Sequence, residues 1–317
     1  MNSSEKIPVG ISSCLLGNEV RHNGGHKRDS YINGTLSRFF DLEPFCPEVG
    51  IGMGVPRPAI RLIASDGEAR AVGVKDPAMD VTDQLKAYTD EQGDAIAPLR
   101  GFILKKGSPS CGMERVKLYN DKGMPENRGV GIFARGLMAR FPLLPVEEEG
   151  RLGEPRLREN FIQRVFIYHR WRNLMAEGLT VAALTDFHAR IKLTLMSHDQ
   201  QAARELGRIA AGANPDNLDD IAGDYIALAM TTLKKVATRK NHVNVLQHIQ
   251  GYLKRNLDGD DKAELGETIE AYYRGEVPLI VPITLLRHFF RKSPDPYIER
   301  SWYMAPYPGE LRLRNLL

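Results

Sequence analysis

Thiols are scarce in this chain, which has three cysteines among 317 residues. So small and odd a number excludes a disulfide framework. No apolar run approaches the roughly 20 residues that a membrane-crossing helix needs. The start, "MNSSEKIPVG", lacks the basic and apolar segments of a secretory signal. A cytoplasmic location is therefore expected, where thiols stay reduced. There is no G-x-x-x-x-G-K-[ST] loop of the kind that cradles a nucleoside triphosphate. Nor does either sign of charge dominate: the net is +3, too small by itself to mark a nucleic-acid binder.

What remains is an ordinary globular composition, 42% apolar and 26% charged. A chain this long exceeds one usual core, so two domains are expected. Residues 1–150 carry 19 lysines and arginines against 20 acids, and residues 151–317 carry 24 against 20. The second half thus leans basic, in clusters such as "RVFIYHRWR", "KKVATRK" and "RHFFRK", a weak tilt toward a phosphate-rich partner. In the first half, "IPVGISS", "FFDLEPF" and "RGFILKK" read as short buried strands. "DVTDQLKAYTDEQGDAIAPL" and "GVGIFARGLMARFP" read as helices, the first with an Asp or Thr to cap its start. Strands alternating with helices predict an α/β domain with a mostly parallel sheet. The acidic "PVEEEGRLGEP" reads as a strand end and linker, which sets domains at 1–152 and 153–317. In the second domain "ENFIQRVFIYHRWRNLMAEG", "TVAALTDFHARIKLTLMSH" and the stretch from Asn217 to Leu257 repeat apolar residues at three- and four-residue spacing. An all-α C-terminal domain is predicted, with the proline-interrupted tail wrapping back over it.

Each cysteine falls where a short apolar run meets a turn: Cys14 in "VGISSCLLGN", Cys46 in "LEPFCPEVG" and Cys111 in "KKGSPSCG". In a parallel sheet such positions lie at the carboxyl ends of the strands, where ligands gather. The three thiols are therefore expected to converge on one pocket. A lone free cysteine is commonly a small buried hydrophobe, but three in serine-, glycine- and proline-bearing loops point to metal. Zinc in a structural site takes four protein ligands, whereas a catalytic zinc on three leaves one place for water. An iron–sulfur cluster on three cysteines leaves one iron open to a soft ligand such as sulfur.

The segments "SSCLLG", "VRHNGG", "FCPEVGIGMGVPRP" and "KKGSPSCG" together resemble the thiouracil desulfidase family, over residues 7 to about 150. In the second half, "FHARIKLTLMSH", "KNHVNVLQHIQGY" and "PLIVPITLLRHF" resemble the helical domain fused to some of these enzymes, the combination being similar to bacterial tRNA 4-thiouridine desulfidases. The resemblance implies a [4Fe–4S] cluster on Cys14, Cys46 and Cys111, whose open iron captures sulfur from a pyrimidine thiocarbonyl. It implies a catalytic carboxylate, Glu48 of "CPE", and a serine, Ser108 or Ser110 of "SPSC". Glu48 is expected to pass protons between water and the ring, Ser108 to orient the water or base, and Ser110 to bond a cluster sulfur. The implied partner is tRNA containing 4-thiouridine, with no obligatory protein partner and no membrane.

Other residues have plainer readings. Arg57 and Arg61 of "VPRPAIR" suit a phosphate or an acidic neighbour, and His22 and His26 flank a glycine turn. In the second domain, Arg170 and Arg172 bracket Trp171, a pattern suited to stacking and phosphate contact. Lys192 with His188 and His198, and Lys240 with His242, are further candidate tRNA contacts; these histidines form no metal signature. Two further functions compete with tRNA desulfuration: action on free thiolated bases or nucleosides, and a cluster-bearing sensor with no turnover.

Overall fold

The computed structural model describes residues 6–65, 67–120 and 122–315. The chain divides into two compact units, the first ending at Gly153 and the second starting at Glu154.

The first unit is α/β. Strands β1 (Ile7–Ser12) and β2 (Phe40–Phe45) are joined through the short helix α1 (Ser30–Gly34), and the four-residue helix α2 (Pro47–Gly50) follows β2 directly. A hairpin, β3 (Ile60–Ser65) and β4 (Glu68–Gly73), leads to helices α3 (Thr82–Glu91) and α4 (Gly93–Ile96). Then come β5 (Phe102–Leu104), β6 (Val116–Tyr119), β7 (Pro125–Gly129), helix α5 (Ile132–Arg140) and β8 (Val146–Glu148). Four strands form a wholly parallel sheet in the order β2-β1-β5-β8. Val9, Ile11, Phe102, Ile103 and Leu104 are fully buried in it, as the continuous apolar runs require of a sheet covered on both faces. Phe102 meets Phe133 of α5 edge-on at 5.8 Å. Gly10 is glycine for space, since a methyl group there would lie 2.4 Å from the Phe102 ring.

A second sheet, of order β4-β3-β6-β7, is mixed: β3/β4 and β6/β7 are antiparallel and β3/β6 is parallel. Sequence periodicity had not separated these strands. The hairpin signal was present, because "RLIASDGEARAV" places Asp-Gly between apolar runs. Leu62 and Ala71 are fully buried, with Val116 beside them.

The second unit is helical. Its helices are α6 (Pro155–Glu177), α7 (Val181–His198), α8 (Gln200–Ala211), α9 (Leu218–Lys234), α10 (Arg239–Tyr252), α11 (Gly259–Arg274), α12 (Ile280–Lys292) and α13 (Pro296–Arg300). Side-chain caps set their starts: Thr180, Asp199, Thr238 and Asp258 each accept from a backbone N–H two or three residues on. The apolar spacing from 217 to 257 does not mark one helix. It breaks at 235–238, where Thr238 caps α10. Helix α8, which the sequence reading had passed over, fills the space beside α7 and α9 with Leu206 fully buried. The C-terminal tail packs back onto α6: Tyr307 Oη and Arg314 Nε both donate to Glu159 Oε1 at 2.8 Å.

Among the described residues, no helix is long and apolar enough to cross a membrane.

Candidate cluster site

The three cysteines stand at the carboxyl edge of the parallel sheet. Cys14 follows β1 in a short 3-10 turn, Cys46 links β2 to α2, and Cys111 lies in the loop after β5. All three line one cavity of about 240 Å³, and none is in a disulfide.

The loop "KKGSPSCG" now has a structural account. Gly107 adopts φ +70°, open to glycine at little cost. Ser108 Oγ accepts from the N–H groups of Ser110 (3.2 Å) and Cys111 (3.1 Å), which folds the chain back. Gly112 passes so near Val116 that a methyl group would lie 2.3 Å from its side chain. The first turn of α5 seals the loop, since Ile132 N and Ala134 N donate to Pro109 O and Ser110 O, both at 3.1 Å. Three consecutive glutamates hold it from below. Glu149 pairs with Lys105 Nζ and accepts from Lys106 N at 2.6 Å. Glu148, buried, accepts from Met113 N at 2.7 Å. Glu147, also buried, accepts from Arg151 Nε at 2.6 Å, and Arg151 reaches Glu114. The run that reads as a strand end and linker holds β8, and its glutamates also fasten the Cys111 loop.

Glu48 enters the same cavity from α2. Arg57 donates to its Oε2 through Nε (2.8 Å) and Nη2 (2.7 Å), and Ser110 Oγ donates to its Oε1 at 2.7 Å. Arg57 is itself buried, and also donates to Gly54 O (3.0 Å) and Val20 O (2.9 Å). The structure thus gives Arg57 a definite post, in contact with the carboxylate. Ser110, fully buried, points at Glu48, whereas the Ser108 oxygen is engaged by backbone amides. Arg57 was the residue whose place sequence could not fix, because nine residues and a turn separate it from Glu48.

Burial pushes all three thiols up: Cys14 to about 11, Cys111 further still and Cys46 in the same direction. Each of Cys14 and Cys111 also feels its neighbours' negative charge when ionised, which raises it again. Three such thiolates coexist only if a cationic centre compensates them. Among the described residues no three His, Cys, Asp or Glu side chains converge closely enough to hold a single metal ion. A cluster that takes one thiolate per iron would need three separate thiol donors, and Cys14, Cys46 and Cys111 on one cavity supply that donor set.

The candidate tRNA contacts fall differently. Arg170 is turned inward: its guanidinium lies 4.5 Å from the Trp302 ring centre, donates to Pro306 O at 2.8 Å and is pushed by burial down to about 10. It anchors the tail through these contacts. Trp171 is core, stacked on Tyr225 with ring centres 5.9 Å apart, so it offers no platform to a base. Arg172 folds over Tyr168 and donates to its hydroxyl at 3.1 Å. Lys192 and Lys240 are exposed. His188 bonds Tyr225 Oη at 3.1 Å, while His198 and His242 are buried. Arg61 lies over the Tyr119 ring at 5.1 Å, away from the cavity; His22 lines the cavity, and His26 bonds Arg28 N.

An α/β unit that gathers three unpaired cysteines and an arginine-held carboxylate on one cavity at the carboxyl edge of its parallel sheet defines the candidate functional site. Comparison with known proteins agrees. The family model described as 2-thiouracil desulfurase matches residues 9–149, and a model described as a protein of unknown function, DUF1722, matches residues 192–308. The uncharacterized protein YbgA of Escherichia coli is 33% identical over 161 residues, covering 50% of this chain and 95% of that protein. The uncharacterized protein YbbK of Bacillus subtilis is 31% identical over 108 residues, covering 32% and 71%. A solved structure, the [4Fe-4S]-dependent thiouracil desulfidase TudS, is 30% identical, covers 47% of this chain and 95% of its own, and superposes with a TM-score of 0.38. The chain belongs to the 2-thiouracil desulfurase family, in a form joined to a DUF1722 domain.

Proposed function

We propose that the protein is a desulfidase that exchanges the thiocarbonyl sulfur of a pyrimidine for oxygen, and that its substrate is 4-thiouridine in tRNA. The observation that carries the reading is the meeting of Cys14, Cys46, Cys111 and Glu48 on one cavity, in a chain of the 2-thiouracil desulfurase family. The balance is C=S plus water giving C=O plus hydrogen sulfide, so no electron donor is needed. A [4Fe–4S] cluster held by the three cysteines would supply an iron with no protein ligand, a soft Lewis acid for the substrate's sulfur.

The chain's own residues handle the water and the protons. Arg57 occupies Oε2 of Glu48 and fixes the carboxylate plane, which leaves Oε1 to face the reaction. Oε1 takes the proton of a water adding to the ring carbon and returns it to the ring nitrogen or departing sulfur. Positioned proton transfer of this kind contributes about 10²–10⁴-fold. Ser110, donating to the same oxygen, holds Oε1 in place and can turn its own proton toward whichever oxygen carries the charge. Ser108 acts one step back, by shaping the loop that presents Cys111.

The RNA-level substrate is supported by the basic wall of the cavity, where Arg21 and Lys106 stand with His22 beside the Glu149-paired Lys105, a lining suited to a phosphate-bearing nucleotide. Reaching a base in folded tRNA requires unstacking it, at a few kcal/mol. A second domain gripping the tRNA body offsets that cost, with Lys192 and Lys240 as its exposed candidate cations. A free thiolated base is the second reading, and the family model's description favours it. The test is anaerobic turnover of thiolated tRNA, 4-thiouridine and 2-thiouracil side by side, with and without residues 154–317 in the first case. The tRNA reading predicts that thiolated tRNA is consumed fastest and that shortening the chain abolishes the preference. Equal rates on tRNA and free 2-thiouracil contradict it.

A further inference from the structure

The helical unit holds a larger cavity than the cysteine site, about 400 Å³, enclosed by α6, the ends of α7 and α10, α11 and the tail. Nothing in the desulfidase reading uses it. Its lining has three arginines, Arg156, Arg239 and Arg314, against one carboxylate, Glu159. That carboxylate is already committed to Arg314 and Tyr307.

The arginines are under-used by the protein. Arg314 is buried, with Nε on Glu159 and Nη1 donating to Tyr303 O at 2.7 Å, yet its Nη2 finds no acceptor among the described residues. Leaving a buried donor unpaired is costly, so native proteins seldom do it without a missing partner. The Arg156 side chain makes one hydrogen bond among the described residues, to Ala237 O at 3.1 Å. Arg239 makes no ion pair among the described residues and lies over the Tyr272 ring at 5.6 Å. Three guanidinium groups from three separate elements around a void form an anion site in which an acceptor with several oxygens satisfies them together. A phosphate with three terminal oxygens matches the planar donor forks better than one carboxylate edge does. The cavity far exceeds a phosphate ion and falls in the range of small-molecule sites, roughly 300–1,000 Å³. Tyr272 and Leu279 are among the residues that line the rest of it, with the polar side chains of Asn160, Gln163, His198 and His242.

We propose that this cavity is a binding site for a terminal phosphate monoester, with Arg156, Arg239 and Arg314 on the phosphate and Tyr272 and Leu279 against the organic group. The ligand joins the tail to α6, α10 and α11 and locks the helical unit. The source of the phosphate is either a free phosphorylated metabolite or the 5′-phosphate of an RNA chain.

The test uses the full chain with ribose 5-phosphate as probe, by titration calorimetry and by thermal unfolding, and ribose as control. Arg239→Gln and Arg156→Gln are the variants, since neither side chain carries an ion pair among the described residues; Arg314→Lys is a third, keeping charge but not the fork. Saturable binding of ribose 5-phosphate, a higher unfolding temperature with it, and at least about tenfold weaker binding in both glutamine variants are expected. The variants should unfold at the wild-type temperature without ligand. A short RNA displacing the probe only when it carries a 5′-phosphate assigns the site to RNA ends, and no displacement assigns it to a metabolite. Binding absent, equal for ribose, unchanged in both variants, or displaced equally by RNA lacking the 5′-phosphate would overturn the proposal. Desulfidase turnover is measured separately on the same variants, so failure here leaves that reading standing.

Discussion

Replacing Arg57 with methionine keeps the aliphatic stem and deletes the guanidinium that organises the cysteine cavity. Arg57 makes four hydrogen bonds, two to Glu48 Oε2 and one each to Gly54 O and Val20 O. Its side chain is 3% exposed and that of Glu48 14%. Breaking a buried ion pair by removing one partner costs about 3–5 kcal/mol. Here the stranded carboxylate borders a cavity that water can enter, so the low end, about 3 kcal/mol, is expected. An exposed pair would give about 1 kcal/mol or less, and the two cases are well separated. Hydrogen exchange of the β1 and β5 amides in metal-free protein measures the change within the first unit. The prediction is exchange faster by about two powers of ten. Glu48→Gln should cost less, since the amide oxygen still accepts from Arg57. The double variant should be milder than the sum of the two, because each single change strands a charge that the other removes. A loss below about 1 kcal/mol in Arg57→Met, with additive behaviour of the pair, refutes the buried clamp.

Further outcomes follow from the same geometry. Acid should destabilise the helical unit through His198, which burial holds down to about 4 against an ordinary value near 6.5. The folded state then binds fewer protons than the unfolded one, so stability is complete above about pH 6.5 and falls as pH drops toward 4, by about 3 kcal/mol; His242 adds in the same direction. Both tryptophans, Trp171 and Trp302, lie in that unit, so fluorescence-detected denaturation at pH 7 and pH 5 checks this, and an unchanged midpoint contradicts it. Gly10→Ala forces a methyl group into the Phe102 ring and should cost about 1–3 kcal/mol by overpacking, read as lowered thermal stability. Glu48→Ala should retain iron yet lose about 10²–10⁴-fold in turnover, whereas undiminished turnover removes the carboxylate from the mechanism.

The sequence carried much of the first unit because its central strands are buried on both faces and so appear as unbroken apolar runs. Their carboxyl ends then located Cys14, Cys46 and Cys111. The second sheet was harder to see, since β6 and β7 are short, and β7 (Pro125–Gly129) is exposed along most of its length and carries no apolar signal. Charge content misled at "EEE", where two of three glutamates are buried against backbone amides and Arg151. At "RWR", on a helix buried over much of its length, the flanking arginines fold onto aromatic neighbours. The grip of Arg57 and Ser110 on Glu48 joins residues up to 62 positions apart, a distance no local pattern spans. In the second unit helix spacing was legible, but the break at 235–238 depends on a single capping threonine.

The most direct measurement is an iron-57 Mössbauer spectrum of protein reconstituted without oxygen, taken before and after addition of a thiolated substrate, alongside Cys14→Ala, Cys46→Ala and Cys111→Ala. The account predicts a cubane cluster in which one iron differs from the other three and shifts when the thiocarbonyl is present, and whose assembly fails in each cysteine variant. Four equivalent irons indifferent to substrate, or a full complement of iron in any of the three variants, would contradict it.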